Sequence, residues 1–469
     1  MGWGMSVSRE EGAAPMTYAT EMLAEIRAAL GGDPAPPDRL RIEGEGALPS
    51  AFAVTDLATA SIAAAGLALA GLADLRGPVR VDRRRASLWF STSLAPEGWA
   101  LPPAWDPIAG DYRAADGWIR LHTNAPHHRA AALGVLACAP EPDAVAAAVA
   151  TWRADALEAA VLEAGGCAAA MRDGAAWAAH PQGRAVAAEP LVAWSDLPGR
   201  AGPLPDPNAL RPLAGIRVLD LTRILAGPIA TRFLAGFGAE VLRIDPPLWE
   251  EPTLEPEVTL GKRCARLDLK SPAGRAQFLD LLSGADVLVH GYRPGALDAL
   301  GLGQAARAQA RPGLVDVALC AYGWGGPWAG RRGFDSLVQM SAGIAALGQR
   351  WRGAERPVPL PVQALDHATG YLMAAAALHG LARRRAGGPG AAARLSLART
   401  AALLAAHRQA PHVPEIVKPE ANDFQPHPEQ TPWGPARRLK PAVAIGPTTM
   451  AWPHGTSHLG SADPLWARA

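Results

Sequence analysis

Between residues 213 and 345, short apolar runs alternate with helical segments punctuated by glycine and proline, and few folds accept that alternation. Arg217-Val218-Leu219-Asp220-Leu221 reads as a strand, Gly227-Pro228 opens a helix toward Phe237, and Gly238-Ala239 closes it. Residues 240–244, 266–269, 285–290 and 313–319 read as further strands, with a helix from Ser271-Pro272 to Leu282 among them. Strands that are apolar throughout, rather than at every second residue, are buried on both faces. The pattern therefore predicts a parallel sheet with helices on either side. Ligands in such sheets sit outside the carboxyl ends of the strands, which places 222–228, 291–295 and 320–326 on one rim.

The chain then reaches Leu360-Pro361-Val362-Gln363-Ala364-Leu365-Asp366-His367-Ala368-Thr369-Gly370, followed by an Ala/Leu-rich run over 371–385. That run ends in Arg383-Arg384-Arg385 and then Gly387-Gly388-Pro389-Gly390. An acid at the start and bases at the end suit a helix macrodipole. Asp366 is expected to be either an N-cap or a carboxylate that attacks an activated carbonyl. Free N–H groups and the positive helix end are expected to lower its pKa and keep it ionised at neutral pH.

A second block has the same plan. Leu48-Pro49, then Asp56, then an Ala/Leu helix to Leu72, a turn at Arg76-Gly77-Pro78, a strand-like 79–82 and a helical 84–94 follow in order. From residue 360 the order is Leu360-Pro361, Asp366, a helix to Leu381, a basic Gly/Pro turn, a strand-like 393–396 and a helical 398–406. Shared punctuation of this kind reads as an internal duplication. Between the blocks, Ala115-Asp116-Gly117 followed by an alternating strand signals a hairpin over 111–122. Helical segments over 127–136, 142–150 and 154–160 and a strand at 167–171 complete a small α+β unit. The chain divides into a leader and helix (1–47), a partial duplicate (48–104), the small unit (105–200), a linker (201–212), the large domain (213–410) and a tail (411–469) that returns to it.

At 469 residues with 49% hydrophobic and 19% charged side chains, the chain buries large cores and is not disordered. A formal net charge of +1 gives no general attraction to nucleic acid or anionic membrane. Cys138, Cys167, Cys264 and Cys320 are scattered, with no CxxC, which suits a reducing cytoplasm and argues against a zinc site. Arg9, Glu10 and Glu11 interrupt any signal peptide, and the apolar run over 57–73 reads as a buried helix rather than a span. No Walker A, GxGxxG, HExxH or GxSxG motif is present. His127-His128 has no companion ligands, so no metal is expected, and Gly323, Gly325 and Gly326 read as a rim turn.

Residues 213–405 resemble the family III CoA-transferases, the CaiB/BaiF family. The resemblance is carried by Leu213-Ala214-Gly215-Ile216-Arg217-Val218-Leu219-Asp220-Leu221-Thr222 with Ala226-Gly227-Pro228, and by Phe237-Gly238-Ala239-Glu240-Val241 and Gly261-Lys262-Arg263. Leu267-Asp268-Leu269-Lys270 with Gly274-Arg275, Ala285-Asp286-Val287-Leu288-Val289, Tyr292-Arg293-Pro294-Gly295-Ala296-Leu297 and Gly333-Phe334-Asp335 continue it in order. The resemblance implies an α/β fold: a Rossmann-like parallel-sheet large domain plus a small α+β domain, in interlocked dimers. It implies Asp366 as the catalytic nucleophile of a CoA-transferase that moves CoA from an acyl-CoA donor to a carboxylic acid through an aspartyl-CoA thioester. It also implies coenzyme A contacts at Arg223, Ile224, Leu225, Ala226, Leu267, Lys270, Gly291, Tyr292, Arg293 and Ala296. The cations among these suit the CoA phosphates. The partners expected are acyl-CoA and small carboxylic acids, with no nucleic acid and no membrane.

Several features depart from the family pattern. Leu225, Ala299 and Cys320 stand where relatives often carry glutamine or a base, and no Gly-rich active-site loop is present. The small unit follows the first block instead of the second, so Asp56 reads as a relic. An α-methylacyl-CoA racemase needs a histidine partner in a Gly-His-Asp motif, and this chain has Gly333-Phe334-Asp335. A racemase with His367 as substitute, and a CoA-binding protein without turnover, are the competing readings.

Overall fold

The computed structural model describes residues 18–33, 38–200, 202–409, 414–416 and 418–467. The expected leader over 1–17 lies outside the described residues. The chain begins with helix α1 (Tyr18–Ala29), strand β1 (Leu40–Glu43), helix α2 (Val54–Leu72), β2 (Val79–Asp82), α3 (Arg83–Trp89) and β3 (Leu94–Pro96). The hairpin β4 (Gly110–Arg113) and β5 (Trp118–Leu121) follows, then α4 (Pro126–Leu136), α5 (Pro142–Ala150), α6 (Ala154–Glu163) and β6 (Ala168–Ala170). Next come α7 (Gly174–Ala179), α8 (Pro181–Ala188) and β7 (Ala193–Leu197). The alternating region contains β8 (Arg217–Leu221), α9 (Ala226–Gly236), β9 (Glu240–Asp245), α10 (Glu255–Val258) and β10 (Lys262–Arg266). It continues with α11 (Pro272–Ser283), β11 (Val287–His290), α12 (Gln304–Ala310), β12 (Val315–Cys320), α13 (Asp335–Ser341) and α14 (Ile344–Arg352). Helix α15 (Ala364–Arg385), β13 (Gly390–Ser396), α16 (Leu397–Ala405) and four short strands, β14 (Glu429–Thr431), β15 (Gly434–Arg438), β16 (Val443–Ile445) and β17 (Thr448–Thr449), complete it.

The apolar strands form a seven-stranded sheet in the order β10-β9-β8-β11-β12-β13-β7. Its first six strands are parallel, and β7 pairs antiparallel to β13 at the edge. Thus a strand from the stretch read as the end of the small unit is built into the large sheet. Val287, Val289, Val315, Val317 and Leu395 face one core, while Leu219, Leu221, Leu288 and Leu314 face another on the opposite side. This is why these strands lack polar alternation. The hairpin β4–β5 and β6 make a three-stranded sheet over their own core, with α4, α5 and α6.

Helix α15 starts at Ala364, seven residues earlier than its Ala/Leu-rich run suggests, and lies buried between α2, α9 and the sheet. Small side chains allow this close packing. A Cβ on Gly380 would fall 2.6 Å from Val315, and one on Gly370 would fall 2.4 Å from the Ala226 carbonyl oxygen. Helix α2 is long and apolar enough to cross a membrane, but 83% of that window is buried against the rest of the protein. The tail, which shows little periodicity in sequence, pairs β15 with β3 and β16 with β2. It reaches the large domain through Trp452, whose Nε1 donates to the Arg232 carbonyl at 3.0 Å.

Candidate active site

Asp366 is the third residue of α15, and the N-cap is Gln363, whose side chain makes no capping bond. The cap is supplied instead by Asp335 at the start of α13. One oxygen of its carboxylate accepts the N–H groups of Leu365 at 2.8 Å and Asp366 at 3.0 Å. Its other oxygen accepts from the Gln339 amide, and the Gln339 carbonyl oxygen accepts the Leu360 N–H at 2.7 Å. Asp335 and Gln339 thereby clamp the whole approach to the helix, residues 360 to 366.

Among the described residues, nothing donates to the Asp366 carboxyl and no cation pairs with it. Burial and then the charge of Asp335 push the Asp366 carboxyl well above its ordinary value. Asp335 itself is pushed up to about 6, mainly by burial, while Gln339 and the two N–H groups pull the other way. The expectation of a lowered pKa at Asp366 is therefore corrected. The helix N–H groups that would stabilise its charge are already taken by Asp335, and what remains is desolvation beside a second carboxylate. The N-cap reading is corrected by the same geometry.

The turn after β8 packs directly on this helix through the contact of Gly370 with Ala226. Ile224 there has φ +67°, a left-handed conformation that is costly for a β-branched residue and is typical of a functional turn. Its N–H donates to Glu251 at 2.9 Å. Glu251 also takes the Trp249 indole N–H at 3.1 Å and pairs with buried Arg243. The Arg223 guanidinium lies over both Trp249 (5.0 Å) and Tyr292 (5.3 Å), so the 222–228 and 291–295 rim segments meet through one cation. Beneath, buried Lys262 and Asp220 pair at 3.0 Å, and Asp220 accepts the Thr222 N–H at 2.8 Å.

The other residues expected to contact CoA are less uniform. Leu225 and Ala226 are buried, and Leu267 packs into the core with Phe278. Gly291 borders open space, since a Cβ there would meet nothing within 4 Å. Ala296 is half-buried, and its N–H donates to the Arg293 carbonyl at 2.9 Å. Lys270 is exposed before α11, its N–H donating to Asp268. Arg293 donates to the Gly330 carbonyl at 3.4 Å, and its pKa is lowered by burial and then by the charge of Arg332. Arg332 is thus a second cation beside the rim that the sequence reading did not single out.

The small unit closes over this site. His122 of the segment after β5 stacks on Phe334 at 3.9 Å and 9°, one residue from Asp335, and the Arg120 charge lowers the Asp335 pKa. Burial and Arg120 push His122 down to about 3, so it is a neutral ring at physiological pH. His128, with burial as main cause, is down at about 4 and lies 3.5 Å from the Cys167 sulfur, which burial raises to about 12. That pair is packing rather than chemistry. His367 is buried, stacked on Phe90 at 5.2 Å, and held neutral by burial and by Arg232. Among the described residues no group of three His, Cys, Asp or Glu side chains is placed to hold a metal.

The fold is α/β, a parallel sheet covered on both faces, with a buried carboxyl near the start of helix α15 that has neither a cation nor a hydrogen-bond donor among the described residues. Residues 213–434 match the family model of CoA-transferase family III, so the resemblance read from the motifs holds for that segment. Among curated proteins, the chain is 32% identical over 249 residues to the probable fatty acyl-CoA transferase Rv3272 of Mycobacterium tuberculosis, covering 50% of this chain and 61% of that one. It is 32% identical over 201 residues to human succinyl-CoA:glutarate CoA-transferase, covering 40% and 45%. Against the alpha subunit of succinyl-CoA–L-malate CoA-transferase from Chloroflexus aurantiacus it is 35% identical over 150 residues, covering 29% and 35%. The chain therefore spans less than two thirds of the length of these relatives. The crystal structure of Rv3272 aligns with a TM-score of 0.38 at 32% identity, covering 42% of this chain and 57% of that one. A CaiB/BaiF family protein from Brucella suis aligns with 0.37 at 26%, covering 42% and 56%.

Proposed function

We propose that this chain is a CoA-transferase that moves CoA from an acyl-CoA donor to a carboxylic acid acceptor, with Asp366 as the nucleophile. The observation that carries the reading is the Asp366 carboxyl itself: buried, without a partner among the described residues, and on a helix in contact with the strained 222–228 turn. A carboxylate that receives no hydrogen bond is unstabilised and correspondingly nucleophilic. In its ionised form, an Asp366 oxygen attacks the thioester carbonyl, the C–S bond breaks, and CoA leaves as thiolate from a mixed anhydride. The thiolate attacks the Asp366 carbonyl of that anhydride, freeing the donor as carboxylate and leaving the aspartyl-CoA thioester. The acceptor carboxylate then runs the same two steps in reverse.

Asp335 does not react in this scheme. It holds the Asp366 N–H and, by its charge, denies Asp366 a stabilised resting carboxylate. Arg223, Lys270, Arg293 and Arg332 would hold the phosphates of CoA, with Tyr292 and Trp249 as flat neighbours. The free cysteines fit a cytoplasmic setting, and the homodimer implied by the resemblance belongs to this proposal. The matching order of the blocks starting at Leu48 and Leu360 supports an internal duplication.

The test is a panel of acyl-CoA donors and carboxylic acids assayed for CoA exchange with purified full-length protein. The proposal expects exchange for at least one pair, with ping-pong kinetics. Solvent deuterium entering the substrate α-carbon without exchange would instead support the racemase.

A further inference from the structure

A cavity of about 230 Å³ opens on the face of the large sheet opposite α15. In register, His290 of β11 pairs with Ala318 of β12, and Asp316 pairs with Ala392 of β13. All four line the cavity, on the face shared with Leu288 and away from the valines packed under α15. At the floor the Asp316 carboxylate has its own cation. Arg307 of α12 binds Asp316 through two nitrogens, at 2.9 and 2.6 Å, and the His290 Nε2 lies 3.3 Å from the other Asp316 oxygen.

The mouth is different. Arg394 lies over the Trp324 ring at 5.0 Å and donates to the neutral Gln304 amide at 2.9 Å. Arg293 donates to the Gly330 backbone carbonyl. Among the described residues neither guanidinium has a carboxylate within ion-pair distance. Asp298 also borders the cavity, but its carboxylate is turned to the start of α12, where a Cβ on Gly303 would fall 2.6 Å from it. Arg394 is therefore the cation at the mouth left without a carboxylate, and Arg293, already assigned to the CoA phosphates, borders the same cavity, which is walled by the Trp324 and Tyr292 rings. An engineered cavity of about 150 Å³ holds benzene, so this one has room for roughly ten non-hydrogen atoms. A ligand the size of CoA needs several times more.

We propose that this cavity binds a small anion, a carboxylate or a phosphate, on Arg394, at a site that adjoins the proposed acyl-CoA site across the 291–297 loop. It lies across the sheet from Asp366, so the anion is an effector and not the acceptor. Tyr292 and Arg293 line the cavity and are also expected at the CoA site, so an anion bound here alters CoA affinity through the 291–297 loop. That coupling, unlike the site itself, rests on the proposed CoA function.

The test titrates inorganic phosphate and succinate separately into the full chain at low ionic strength by calorimetry, in wild type and Arg394→Gln. CoA binding is measured independently in both. Saturable binding of one equivalent, weakened about tenfold or more in Arg394→Gln while CoA affinity in the absence of anion is unchanged, supports the site. Tighter phosphate identifies a phosphoryl ligand, and tighter succinate a carboxylate. No saturation with either anion overturns the proposal, as does equal binding by Arg394→Gln, or strictly competitive displacement by CoA. Absence of CoA binding to wild type would contradict the function proposed above and leave the anion result standing.

Discussion

The blocks around Asp56 and Asp366 share a backbone and differ in their charges. Each acid is the third residue of its helix, and the N-cap torsions nearly coincide, φ −74° and ψ 60° at Ala53 against −75° and 64° at Gln363. Each helix opens with the same local bond, Val54 N–H to Phe52 and Ala364 N–H to Val362, both 2.8 Å. A strand and a capped helix follow in both, with Asp82 and Ser396 as caps. Yet Asp56 is paired with Arg83 at 2.8 Å, while Asp366 has no cation among the described residues and feels the charge of Asp335. Four residues on, the first helix has Ala60 and the second Gly370, which lets the strained 222–228 turn approach the second helix alone. One scaffold thus holds an acid paired with an arginine and an acid beside a second carboxylate, the one for which we propose the reactive role. The environment, not the helix, decides between them.

The largest expected contrast is catalytic. Asp366→Ala should reduce CoA exchange by on the order of 10³-fold or more, whereas Asp56→Ala should leave it within about twofold; steady-state rates on the best donor and acceptor pair check both. Next comes pH. In the proposed scheme ionised Asp366 is the nucleophile, so its raised pKa means activity should fall as pH drops through that raised value. Asp335→Asn removes the neighbouring charge, so the acid limb of kcat against pH should move to lower pH. An unmoved limb would show that Asp335 is only a structural cap.

Stability should separate the two acids with opposite signs. Asp56→Ala strands a partly buried Arg83 and should cost roughly 1–3 kcal/mol in denaturant unfolding. Asp366 holds its proton more tightly folded than unfolded, so its contribution to stability falls as pH rises from the ordinary carboxylate range through its raised pKa. Asp366→Asn removes that penalty and should raise Tm at neutral pH, with little change in acid. The smallest contrast is at the fourth position. Gly370→Ala should cost about 1–3 kcal/mol because its Cβ meets the Ala226 carbonyl, and Ala60→Gly about 0.5–1 kcal/mol from helix propensity alone.

The parallel sheet was legible because strands such as Val287-Leu288-Val289 carry no polar alternation. The repeated Leu-Pro, acid, helix order likewise pointed to two blocks of like plan. Asp366 stood out by its place before a small-residue helix, but its charge state did not. That state depends on Asp335, thirty-one residues away in sequence and joined only through the backbone of Leu365 and Asp366. His122 and Arg332 escaped notice because their significance comes from stacking on Phe334 and proximity to Arg293, which no local spacing encodes. The tail strands were invisible because three-residue pairings to β2 and β3 leave no periodicity.

The most direct check is chemical trapping. Wild-type protein turning over an acyl-CoA is quenched with hydroxylamine, digested, and the peptides holding Asp366 and Asp56 are weighed. The account predicts a hydroxamate mass change on the Asp366 peptide alone, dependent on acyl-CoA. A modified Asp56 peptide, or active exchange with neither peptide modified, would contradict it.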